Sequence, residues 1–88
     1  MLSDHDVTQN TAENLRRLLA DRGWSQLELC RRTGEQSGTI SRISNGKQLA
    51  SGAILARIAE ALDVSVDRLV QAPPEKIQEN LFVAQKSA

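Results

Sequence analysis

The sequence predicts an all-α domain of four to five short helices, on three observations. Apolar residues recur at the helical spacing i, i+3, i+4 in successive segments as far as Val70. Glycines that stop helices and hydroxyl residues that start them punctuate these stripes at short intervals. No run of four or more residues alternates apolar and polar with β-branched enrichment, and no internal repeat occurs. Trp24 and Phe82 are the only aromatics, so the core must be aliphatic, which suits packed helices.

The first helix is expected over residues 10–22, after a flexible arm at 1–10. Asn10 and Glu13 have the spacing of a capping box, Leu15, Leu18 and Leu19 form the apolar stripe, and Gly23 is the stop. A second helix follows at once. Ser25 and Glu28 form an S-x-x-E box, Trp24 and Leu29 have the spacing of a hydrophobic staple, and the inward face reads Gln26, Leu29, Cys30, Thr33 before Gly34. Residues 36–45 hold two apolar side chains, Ile40 and Ile43, so this third helix buries a narrow stripe and turns Ser37, Gly38, Ser41, Arg42 and Asn45 outward. The fourth helix starts at Ser51. It carries Ile54, Leu55, Ile58, Ala59 and Leu62, the widest apolar stripe, and is expected at the centre. A short fifth helix, capped by Ser65, offers Val66, Leu69 and Val70 before Pro73-Pro74 breaks the pattern.

At 88 residues the chain makes one domain, residues 11–72, and excludes a two-domain enzyme. No stretch approaches the roughly 20 apolar residues of a membrane span, and the polar start lacks a secretory apolar run, so a cytoplasmic protein is expected. Cys30 is the one cysteine and His5 the one histidine: too few ligands for a structural zinc, and no partner that would make Cys30 a nucleophile. No phosphate loop or cofactor motif is present, and catalysis is not expected. The zero net charge hides an asymmetry. Between residues 11 and 47, Arg16, Arg17, Arg22, Arg31, Arg32, Arg42 and Lys47 outnumber Glu13, Asp21, Glu28 and Glu35. This surplus is too small for a non-specific nucleic-acid coat, so any affinity for nucleic acid must come from a few placed contacts.

Residues 26–45 have the grammar of a helix-turn-helix. Two helices crossing at about 90 to 120° need a small residue at the crossing, Cys30, a glycine in the turn, Gly34, and apolar residues holding the second helix down, Ile40 and Ile43. Any helical hairpin also needs a glycine turn, so this pattern alone leaves both readings open. The context is more specific. L-R-R-L at 15–18, G-W-S-Q at 23–26, L-C-R-R-T-G at 29–34, T-I-S-R-I-S-N-G-K at 39–47 and L-x-x-I-A-x-A-L-x-V-S-x-D-x-L at 55–69 resemble the Cro/repressor-type (XRE-type) helix-turn-helix family without a gap.

That resemblance implies a lambda-repressor-like five-helix domain that binds double-stranded DNA, with the third helix in the major groove. It places Gln36, Ser37, Gly38, Ser41 and Arg42 among the base-facing side chains, Arg42 foremost, since a guanidinium grips guanine O6 and N7 bidentately. It places Gln26, Thr39, Asn45, Gly46 and Lys47 against the phosphates, with backbone and side-chain donors fixing register. The plain alternatives are a solvated or phosphate-contacting Arg42 and an exposed first-turn Gln26. Arg31 and Arg32 read as a solvated face, with Arg31 or Arg16 an outside candidate for the phosphates. Three departures stand out: Gln36 replaces a capping Ser or Thr, Glu35 adds negative charge beside the expected DNA, and Gly38 sits inside the reading helix.

The tail, residues 73–88, lies outside the resemblance. Ile77, Leu81 and Phe82 are read as a homodimer contact, which would set two reading helices about 34 Å apart on a palindromic operator. The leading expectation is a transcriptional regulator, a repressor foremost. A toxin-neutralising antitoxin, with the tail binding a small toxin, or a restriction-system controller would use the same fold. A helical protein-interaction module without DNA contact is the alternative from another class.

Overall fold

A computed structural model describes residues 2–74. Among them lie five helices and no strand: α1 (Asp4–Arg22), α2 (Gln26–Thr33), α3 (Ser37–Ser44), α4 (Gly52–Leu62) and α5 (Val66–Val70). The expected tail contact through Ile77, Leu81 and Phe82 lies outside the described residues.

The start of α1 corrects the sequence reading. Ser3 caps it: its hydroxyl accepts from the Asp6 N–H at 3.1 Å and its own N–H donates to the Asp6 carboxylate at 3.2 Å, a reciprocal box. Asp4 and Asp6 place negative charge where the helix dipole favours it. The arm expected over residues 1–10 is therefore helical from Asp4 onward. Asn10 is not a cap. It is buried in mid-helix, and its amide donates to the Val70 carbonyl at 3.0 Å, while Asn14 donates to the carbonyls of Leu69 (2.8 Å) and Gln71 (2.7 Å). Their polarity serves the last turn of α5, whose carbonyls have no helical partner of their own.

The other starts and stops follow the local chemistry expected. Ser25, Ser51 and Ser65 each accept from the backbone N–H three residues on. Gly23 adopts φ 66°, and the Trp24 N–H reaches back to the Leu19 carbonyl at 2.9 Å, closing α1 with a Schellman motif. Asp63 does the same for α4 at φ 57°, with the Val64 N–H on the Ala59 carbonyl.

By backbone proximity the helices form a ring in which α1 packs on α3 and α5, α2 on α3 and α4, and α4 on α5. Leu15, Leu29, Ile40, Ile43, Ile58, Leu62 and Leu69 fill the interior, each essentially inaccessible to water. The wide stripe of α4 buries Leu55, Ile58, Ala59 and Leu62, but α4 takes one place in the ring rather than its centre. In α5 only Leu69 is fully buried; Val70 is half-buried and Val66 exposed.

Candidate nucleic-acid interface

The α2–turn–α3 unit is assembled from short-range bonds. Leu29 and Cys30 bury the inner face of α2, while Gln26 is exposed in its first turn rather than inward as the spacing implied. The Ser25–Glu28 box forms only half-way: the Glu28 carboxylate pairs instead with Arg31 at 3.3 Å and Arg32 at 3.1 Å. Arg32 also stacks over the Trp24 ring, 4.0 Å from its centroid, so both arginines belong to a solvated outer face. Gly34 turns the chain at φ 78°, its N–H on the Cys30 carbonyl at 2.8 Å. The Thr33 hydroxyl donates to the Leu29 carbonyl and accepts the Glu35 N–H at 3.2 Å. Glu35 then pairs with Arg57 of α4 at 3.1 Å, so its charge is neutralised and the turn is tied to the scaffold.

Gln36 holds the cap position of α3 without a side-chain bond, and the helix starts at Ser37. Ile40 and Ile43, both fully buried, pin one side of it. The opposite side presents Gln36, Ser37, Gly38, Arg42, Asn45 and, beyond the helix, Lys47, all exposed; Thr39, Ser41 and Gly46 are half-buried. No carboxylate lies in α3, so the charged groups offered are Arg42 and Lys47. This is the chemistry of a surface that meets phosphate oxygens and base edges: hydroxyl and amide groups with two cations on a narrow helix.

Residues 15–69, well over half of the chain, match the family model described as helix-turn-helix. The chain belongs to the helix-turn-helix family. Among solved structures it is similar to the crystal structure of a hypothetical transcription factor, NHTF, from Neisseria, with a TM-score of 0.75 and 26% identity over 89% of this chain and 90% of that one. No match was found among curated proteins. This helix-turn-helix chain is a DNA-binding regulator, not an enzyme. No helix among the described residues is long and apolar enough to cross a membrane, and no three His, Cys, Asp or Glu side chains among them gather as metal ligands.

The exit of α3 narrows what this helix-turn-helix protein has to offer a phosphate. Gly46 adopts φ 72°, its N–H on the Ile43 carbonyl (3.2 Å) and the Lys47 N–H on the Arg42 carbonyl (2.9 Å). Both backbone donors are thus spent on closing the helix, which leaves the Thr39 hydroxyl, the Asn45 amide and the Lys47 ammonium as the donors there. Sequence reasoning missed what steadies this exit. Arg16 donates from Nη1 to the Ser44 carbonyl at 2.7 Å, and Gln9, two turns earlier on α1, donates to the Gly46 carbonyl at 3.1 Å. The sequence offers Arg16 only as an outside candidate for the phosphates and places Gln9 in the expected arm. No local spacing marks either, because their partners are 28 and 37 residues away. A third long-range side chain, Arg22, caps α4 through the Leu62 carbonyl at 2.6 Å.

Proposed function

We propose that this chain is a transcriptional repressor that binds a palindromic operator as a homodimer, laying α3 along the major groove of each half-site. The observation that carries the reading is the carboxylate-free polar face of α3, held outward by Ile40 and Ile43 and flanked by Arg42 and Lys47. In this reading Gln36, Ser37, Gly38, Ser41 and Arg42 meet base edges, and Gln26, Thr39, Asn45, Gly46 and Lys47 line the phosphates, Gly46 by close backbone approach rather than by its N–H. The likeness to a hypothetical transcription factor supports the regulatory role. Repression asks least of the chain, since occupancy of a promoter alone blocks polymerase. Ile77, Leu81 and Phe82 join the two copies.

Selection of duplexes from a random library with the full chain tests the proposal. The expected product is an inverted repeat with half-site centres about one helical turn apart, bound by two copies as measured by sedimentation. Enrichment of single, unpaired half-sites would remove the homodimer; no enrichment at all at physiological salt would remove sequence-specific binding.

A further inference from the structure

We infer that Gln48, a loop residue outside α3, sets the base preference of α3 by holding Arg42 in a fixed orientation across Gly38, presenting its guanidinium fork to guanine. The inference rests on the proposed role of Arg42 as a base reader and adds the residues that aim it.

Three observations converge on Arg42. First, the chain leaving α3 folds back on it: the Lys47 N–H closes on the Arg42 carbonyl at 2.9 Å, which brings the next residue alongside the Arg42 side chain. Second, the Gln48 carboxamide oxygen accepts from Arg42 Nε at 2.7 Å, a short bond to a charged donor. Third, Gly38 lies one turn earlier on the same side of the helix, and a Cβ built there would stand 3.3 Å from Arg42 Nη1, closer than ordinary contact. The guanidinium is held at its Nε edge by Gln48 and lies beside a backbone position that lacks a side chain.

The chemical consequence concerns which donors remain. A guanidinium has five N–H groups in a rigid plane. With the Nε–H engaged by Gln48, the Nη1 and Nη2 groups keep their N–H donors, and a fork of two of them matches the O6 and N7 acceptors of guanine. An arginine that is aimed before binding loses less side-chain freedom on docking than a free one. Gln48 acts through Arg42 and is a positioning residue. Gly38 takes part by leaving the space that Nη1 occupies.

The test compares Arg42→Ala, Gln48→Leu and Gln48→Glu in the full chain, with the library-selected duplex and its single-base-pair variants as probes. Arg42→Ala should abolish discrimination at one G·C pair in each half-site. Gln48→Leu should weaken discrimination at that same pair, roughly 3- to 10-fold, and leave the other positions unchanged. Gln48→Glu keeps an acceptor at the same reach and should keep the preference, while its added charge lowers affinity for all sequences alike. In the free protein, the NMR resonance of the Arg42 Nε–H should move in Gln48→Leu and be retained in Gln48→Glu, a readout that requires no DNA. An Arg42 Nε–H unmoved by Gln48→Leu, or an affinity loss spread evenly over all positions, would overturn the inference while leaving Arg42 as a reader. Unchanged preferences in Arg42→Ala would overturn the underlying role, and the inference with it.

Discussion

Arg16 Nη1 donates to the main-chain carbonyl of Ser44 across 2.7 Å, so a charged side chain of α1 terminates α3. The last carbonyls of a helix have no helical partners, and the negative end of the helix dipole favours a cation there. One bond therefore both satisfies an acceptor and fixes where α3 ends relative to the scaffold. We predict that Arg16→Met, which keeps much of the aliphatic stem, lowers stability by about 1 to 2 kcal/mol in urea denaturation. It should weaken DNA binding for all sequences without altering base preference, because it loosens the frame of the interface and removes no reading group.

Asn14 carries a larger structural burden. It is fully buried, and its amide nitrogen serves two carbonyls at once, those of Leu69 and Gln71. Replacement by leucine leaves both acceptors without that donor, which costs about 2 to 3 kcal/mol. Asn14→Asp should be worse, since a carboxylate would face the same two carbonyl oxygens. Equal melting temperatures for wild type and Asn14→Leu would show that the α1–α5 junction does not depend on this amide.

These two residues mark the boundary of what was legible in the sequence. Caps at Ser25, Ser51 and Ser65 and stops at Gly23 and Gly34 are chemistry within a few residues, and spacing along the chain exposes them. The outward face of α3 was legible for the same reason, because Ile40 and Ile43 are its two large apolar side chains and mark its inner side. Asn10 misled because its partner, Val70, is 60 residues away; a polar residue that ends a distant helix looks locally like one that begins its own. The pairing of Glu35 with Arg57 was invisible likewise, so a charge that seemed opposed to DNA is in fact balanced from α4. Long-range bonds leave no periodicity to read.

Gly38 makes an opposition between stability and binding testable. Glycine inside a helix costs about 1 kcal/mol relative to alanine, and Gly38 is exposed with helical backbone, so nothing in its conformation requires glycine. Gly38→Ala should raise the melting temperature by a few degrees. The same methyl group would press on Arg42 Nη1, so affinity for the selected duplex should fall. Thermal denaturation and anisotropy titration of the same preparation check both halves, and an alanine variant that gains stability with no loss of binding would free Gly38 of any role at the interface.

Acid should loosen the beginning of α1. The Ser3 N–H and then the Ser3 hydroxyl, assisted by the charge of His5, hold the Asp6 carboxyl below the usual aspartate range. A group whose folded pKa is lowered contributes stability above its unfolded value, and that contribution disappears as pH falls through the folded value. The loss should therefore begin near the ordinary aspartate pKa of about 3.9 and continue below it. Asp6→Asn should show a smaller drop in amide protection at residues 4–8 between pH 6 and pH 3 than the wild type does, measured by hydrogen exchange.

Lys47 and Arg42 should separate affinity from recognition. Both are exposed cations, Arg42 on α3 and Lys47 just beyond it, but they differ in how they are held: the Arg42 side chain is fixed by Gln48, whereas Lys47 is ordered through its backbone N–H, which closes the helix on the Arg42 carbonyl. An ammonium on a long stem suits a phosphate, which it can neutralise from many angles, while an oriented fork suits a base edge. Lys47→Ala should weaken binding to every duplex by the same factor and reduce the slope of log K against log salt by about 0.9, the share of a single phosphate no longer neutralised. Arg42→Ala should instead cost about 1 to 3 kcal/mol of discrimination at a single base pair. Titrations at four salt concentrations, against the selected duplex and its point variants, distinguish these outcomes. If the two variants gave the same salt slope and the same pattern of preferences, the division between reading and clamping would not hold, and both cations would be acting as charge alone.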